Sequence, residues 1–141
     1  NLFTSFNGDF LPTNLKSLTL IGNPFTSYSD IINLPENLKT LVIGSLTVES
    51  NDLSGLELPE GLKSFTLGVT TATEEDLATL NIPPNLKKLI LSRNNISTLD
   101  GIELPSSLRR LELDHNNFTK AEKRKTRRRF RKENPKLRIK F

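Results

Sequence analysis

The chain has 141 residues, 35% of them hydrophobic, and a formal net charge of +4, a size suited to one domain. It contains no Cys and one His, His115, which excludes Cys/His metal centres and a Cys nucleophile. No run of about 18 apolar residues is present, so no stretch reads as a membrane-spanning helix.

Charge is divided unevenly. Residues 119–141 hold 12 of the 20 Lys and Arg against only Glu122 and Glu133, so an acidic body carries a strongly basic tail. The chain opens on Asn1-Leu2-Phe3, which matches Asn23-Pro24-Phe25 and Asn116-Asn117-Phe118 further along. It thus begins inside a repeating pattern, and with no Met anywhere we expect it to be the C-terminal part of a longer protein.

The pattern itself is Leu-x-x-Leu-x-Leu. It is carried by Leu15, Leu18 and Leu20; Leu38, Leu41 and Ile43; Leu62, Phe65 and Leu67; Leu86, Leu89 and Leu91; and Leu108, Leu111 and Leu113. Its first residue falls at 15, 38, 62, 86 and 108. A proline leads into each core (Pro12, Pro35, Pro59, Pro83 and Pro105); its fixed φ and missing N–H end one segment and open the next. Alternation along a strand points the apolar residues inward and the residues between them outward. One outward column reads Thr19, Val42, Thr66, Ile90 and Glu112; another contains Thr40, Lys88 and Arg110. The second position of each core is always basic (Lys16, Lys39, Lys63, Lys87 and Arg109), with Glu36 and Glu60 near enough to offset it in part.

Between the cores, residues 73–80 read as a short helix capped by Thr73, residues 27–32 as a helical turn, and residues 52–55 and 100–101 as turns. After Phe118 the pattern changes. Thr119-x-x-Glu122 fits a capping box and predicts a helix over residues 120–133 that stops before Pro135. Thr126 and Phe130 share its inner face, which turns Arg124, Arg128 and Lys132 outward in one row. Residues 137–141 alternate like a strand. Aligning Leu137 and Ile139 with Leu111 and Leu113 puts Arg138 beside Glu112 and Lys140 beside Asp114.

The Leu-x-x-Leu-x-Leu cores, extended to x-x-Asn at Asn23, Asn94 and Asn116, resemble the leucine-rich repeat family over essentially the whole chain. The resemblance implies an α/β fold: a right-handed solenoid with a parallel concave β-sheet. Residues 1–118 would hold about five repeats, the first incomplete, and residues 119–141 a basic helix-plus-strand cap. It also implies that the repeat Asn side chains, starting from Asn1, bond the backbone at the bend after each strand. Leu46 and Thr70 replace Asn in the two longest repeats, where the bend must be held differently. The Leu-Pro lead-ins at Leu11, Leu34, Leu58 and Leu104 resemble repeats of secreted bacterial effectors of the YopM and IpaH type, and somewhat those of amoebal proteins. Many extracellular members close their ends with disulfides; without Cys that device is impossible, which leans towards a reducing compartment or a bacterial origin.

For function, the resemblance points to a protein partner on the concave face, over Thr19, Thr40, Val42, Thr66, Lys88, Ile90, Arg110 and Glu112. Strand propensity alone also explains much of that column. An alternative is anion binding, to nucleic acid or an acidic membrane, through Arg124, Arg128 and Lys132; a solvated basic face competes with it. A third reading makes the chain the recognition part of an enzyme or effector whose other domain precedes residue 1. No local nucleophile, cofactor or metal motif accompanies Asp114-His115, and the acids at 74–76 read as helix-capping residues. The open N-terminal edge at residues 17–21 invites self-association.

Overall fold

The computed structural model describes residues 3–44 and 53–141. In chain order the elements are β1 (Phe6–Asn7), β2 (Ser17–Ile21), β3 (Ile31–Ile32), β4 (Thr40–Gly44), β5 (Ser64–Gly68), α1 (Glu74–Ala78), β6 (Lys88–Ile90), β7 (Arg110–Glu112), α2 (Lys120–Glu133) and β8 (Arg138–Lys140). Six strands make one sheet in the order β2-β4-β5-β6-β7-β8, every neighbouring pair parallel. β1 and β3 form a second, two-stranded parallel pair. The result is an α/β repeat fold with few helices.

Each repeat is built from the same local bonds. The N–H of the first core Leu donates to the carbonyl of the Pro three residues earlier, as in Leu38 to Pro35 (2.9 Å), Leu62 to Pro59 (3.0 Å) and Leu108 to Pro105 (2.9 Å). This is a β-turn bond, and it aims the next residues into the sheet. The carbonyl of the basic second position then accepts two N–H groups from the following repeat. Lys63 O, for example, takes those of Lys87 (2.9 Å) and Lys88 (3.0 Å). Inward Leu41, Ile43, Phe65, Leu67, Leu89, Leu91, Leu111 and Leu113 are buried in one core. Leu15 and Leu18, at the β2 edge, are only half-buried. Backbones run close at Gly44, where an added Cβ would lie 2.5 Å from the Gly68 carbonyl oxygen.

The bend after each strand is held by the repeat Asn. Asn94 Nδ2 donates to the carbonyls of Leu67 (2.9 Å) and Leu91 (3.0 Å), and Asn116 Nδ2 to those of Leu91 (2.7 Å) and Leu113 (3.0 Å). Each therefore ties its own repeat to the preceding one. Thr70 fills the same position by donating its hydroxyl to Asn94 Oδ1 and accepting the Ala72 N–H (3.3 Å), one bond in each direction, as a hydroxyl allows. Asn1 and Leu46 lie outside the described residues.

The residue before each of these positions is left-handed: Gly22, Val69, Arg93 and His115 have φ of 67°, 58°, 63° and 57°. A β-branched side chain is strained there, and Val69 is 52% exposed, so it gains little burial in return. Asn tolerates this region. We expect Val69→Asn to raise stability by about 1 kcal/mol, read as a higher midpoint in urea; an unchanged or lower midpoint would show that Val69 is not strained.

The helices follow their caps. In α1 the Thr73 hydroxyl and the Asp76 carboxylate cap each other's backbone N–H groups. Glu74 accepts the N–H and hydroxyl of Ser97 in the next repeat (3.0 and 2.6 Å). The turn expected over 27–32 is a 3-10 helix at Tyr28–Asp30, and Leu53–Gly55 forms another; residue 52 is outside the described residues. α2 spans the expected residues, but its capping box is only half made. Thr119 accepts the Glu122 N–H (3.1 Å), while the Glu122 carboxylate is drawn away to the Thr98 hydroxyl (3.0 Å) and Lys125 (3.3 Å). Thr126 and Phe130 are buried, as their spacing requires.

The register of β8 differs from the sequence expectation by two residues. Ile139 pairs with Leu111, so Arg138 lies beside Arg110 and Lys140 beside Glu112. The cause is a turn: Leu137 N–H donates to the Asn134 carbonyl (2.9 Å), the bond that the first core Leu makes in every repeat. Leu137 thus takes the place of the first core Leu, packed against the core beside Ile139, and Ile139 takes that of the second.

Candidate functional site

The outer face of the sheet is organised by its register. Strand pairing lines up Thr19, Val42, Thr66, Ile90, Glu112 and Lys140 in one column, and Ser17, Thr40, Ser64, Lys88, Arg110 and Arg138 in a second. Successive members lie about 4.8 Å apart, the strand spacing. The eight face residues expected from the sequence are thus brought onto one surface. Thr19 and Arg110 are exposed; Thr40, Val42, Thr66, Lys88, Ile90 and Glu112 are half-buried.

The second column changes character along its length. Its first three members are hydroxyl side chains and its last three are cationic. Arg110 is matched by Glu112 in its own strand (Nε–Oε1 2.6 Å), and Lys140 by Asp114 (3.0 Å). The Lys140 hydrogen bond and charge, aided by the Ser92 hydroxyl, hold the Asp114 carboxyl below the usual carboxylate range. Lys88 and Arg138 have no ion pair among the described residues. Arg138 therefore has no acid to offset it, although the alignment from sequence gave it Glu112. The signal that finds its place is Asn134-Pro135-Lys136-Leu137, a turn of the same length as each Pro-x-x-Leu. Arg109, Arg110, Lys136, Arg138, Ile139 and Lys140 line a shallow recess of about 480 Å³ at this corner.

On α2, Arg124, Arg128 and Lys132 are exposed, with no ion pair among the described residues. Their neighbours are engaged: Lys125 with Asp100 and Glu122, and Arg129 with Glu133 (2.9 Å) and the carbonyls of Leu99 (2.7 Å) and Ile102 (2.9 Å). Among the described residues no ion pair joins the Lys row along the strand starts to Glu36 or Glu60; Lys39 Nζ donates to the Gly61 carbonyl (3.2 Å). His115 is exposed at a bend, and Asp114 beside it faces Lys140. Burial pushes the Glu74 carboxyl up, but the two Ser97 bonds outweigh it and hold it low. Among the described residues no group of three or more His, Cys, Asp or Glu is placed to hold a metal ion, and no helix is long and apolar enough to cross a membrane.

Comparison with known families finds a match over residues 84–123 to the model described as Leucine Rich repeats (2 copies). The comparison with curated proteins finds no match, so the likeness of the Leu-Pro lead-ins to bacterial effector repeats rests on those residues alone. Repeats of this family are generally non-enzymatic and generally serve as protein-interaction modules. Residues 84–123 thus match leucine-rich repeats, and the same Pro-x-x-Leu turns and Asn-bonded bends recur elsewhere among the described residues.

Proposed function

We propose that this chain is a protein-interaction module that takes its partner on the concave face of a right-handed solenoid. In this reading, repeats over residues 1–118 are closed by a cap over residues 119–141, and the partner lies across Thr19, Thr40, Val42, Thr66, Lys88, Ile90, Arg110 and Glu112. The observation that carries it is the in-register column from Thr19 to Glu112. It is an even surface of small and β-branched side chains along which a partner can lie flat. Charges introduced at Val42 and Thr66 would desolvate poorly against that partner. Val42→Glu with Thr66→Glu should therefore remove a protein co-purified with the wild type and then titrated in pure form, while the melting temperature stays within a few degrees. Retained affinity would move the site off the face.

A second reading is favoured by the unpaired row on α2. Arg124, Arg128 and Lys132 together offer an anion-binding ridge for nucleic acid or acidic lipid. Replacing all three by Gln should weaken such binding and flatten its salt dependence. Wild type without affinity for either at low salt would leave the ridge as solvated surface. Self-association through the β2 edge, to be read from the oligomeric state in solution, and a role as the recognition part of a larger enzyme are further proposals.

A further inference from the structure

The geometry points to an acidic segment of the protein partner as the ligand of the basic corner formed by Lys88, Arg110 and Arg138. This deepens the concave-face reading and rests on it. The three cations stand in register on adjacent strands, so the outer two are about 10 Å apart. A peptide in the polyproline II conformation has three residues per turn and rises about 3.1 Å per residue, so a carboxylate every third residue recurs on one side about 9 Å apart and matches Lys88 and Arg138 together. Like charges set side by side across strands are unfavourable. Among the described residues only the middle one, Arg110, has an ion pair, with Glu112 at 2.6 Å. The outer two are left for a ligand, and Arg138 shares its recess with Arg110 and Lys136.

The surroundings favour discrete carboxylates over a continuous phosphate chain. Glu112 and Asp114 lie within the corner, in the adjoining positions of β7 and its continuation. They would repel an unbroken polyphosphate but tolerate neutral residues between acids. Among the described residues that line the recess none is aromatic, so no ring is offered for a base to stack on, as single-strand recognition uses. The ring at this end, Phe141, packs edge-on against Phe118 (5.1 Å) and is covered by Arg127 (4.8 Å) and Lys123 (5.5 Å). At the other end of the same column stand Ser17, Thr40 and Ser64, so the charge also orients the partner, its acidic part toward β8.

The test uses a labelled peptide in which Glu is every third residue and Ser fills the rest. It is titrated beside a dT12 oligonucleotide and phosphatidylserine vesicles. Lys88→Ser with Arg138→Ser copies the residue found at Ser17 and Ser64 and leaves the Arg110–Glu112 pair intact, so the fold should hold; a melting curve checks this. Peptide binding should weaken about tenfold, in line with the loss of two exposed ion pairs, and its salt dependence should flatten. The Gln triple at Arg124, Arg128 and Lys132 should leave it within about twofold. No peptide binding by wild type, equal losses in both variants, or preference for the oligonucleotide or vesicles would overturn the inference. The Val42→Glu, Thr66→Glu variant separates the two failures. If it loses the native partner while the corner binds no acidic peptide, the concave-face reading stands and the corner assignment falls; if it keeps the partner, the face reading falls.

Discussion

Leu89→Glu should unfold the domain, whereas Thr66→Glu, one strand away, should leave it folded. Leu89 is fully buried between Phe65 and Leu111 on the inner side of the sheet. Removing the Leu side chain from such a site costs about 2–5 kcal/mol. A carboxylate placed there must ionise without a partner or stay neutral through a pKa raised by roughly 3–5 units, and keeping it protonated at neutral pH costs about 4 kcal/mol. The sum of about 6–9 kcal/mol is comparable to the roughly 5–15 kcal/mol that holds a domain together. Thr66 points the other way. Its register partners are Val42 and Ile90, neither charged, and it is half-buried, so a Glu there keeps contact with water. Circular dichroism and urea titration decide it. A folded Leu89→Glu variant, or a Thr66→Glu variant that unfolds, would mean that the two faces have been assigned the wrong way round.

That the two faces can be told apart from sequence follows from how repeats are built. Each unit depends mainly on its neighbours, so inward and outward positions recur at fixed offsets from Leu15, Leu38, Leu62, Leu86 and Leu108, and the strand pairing carries those columns across unchanged. The Thr73 cap and the extent of α2 were legible for a related reason: capping is a contact between residues three apart. What was not legible depends on contacts between repeats. Glu122 abandons its own helix terminus for Thr98, 24 positions away. Arg129 reaches the carbonyls of Leu99 and Ile102, which no local pattern marks as acceptors in need of a donor. The left-handed bends at Val69, Arg93 and His115 were hidden because only Gly22 carries the residue type that usually announces one.

The candidate site divides the same way. The neutral part of the face is set by repeats of nearly constant plan, and its residues were legible. The basic corner depends on where β8 enters the sheet. A two-residue change in that turn moves Arg138 between Glu112 and Arg110, from a compensated position to an uncompensated one. Its charge was plain in the sequence, but its neighbour was set by the Leu137 to Asn134 bond.

Phe130→Ala should be the most damaging single truncation in the C-terminal segment. Phe130 is 2% exposed and belongs to the same core as Leu108 and Leu111. Truncating a buried Phe costs about 3–5 kcal/mol. The ring also backs the Arg129 guanidinium, 4.7 Å from its centroid, while that guanidinium bonds Leu99 and Ile102; losing the stacking adds roughly 0.5–1 kcal/mol. The effect should spread along the chain. The Asn134 N–H is held by the Phe130 carbonyl (2.8 Å), and Asn134 Nδ2 by the Leu108 carbonyl (2.9 Å), so a loosened helix end also loosens the turn that sets β8 in register. We expect a loss of about 4 kcal/mol in urea unfolding. Amide exchange should accelerate first over residues 120–140 and least over β4 and β5, where the sheet is paired on both sides. Uniform acceleration throughout would mean that α2 and β8 unfold only with the whole domain. A loss below about 1 kcal/mol would mean that Phe130 is not packed in the core.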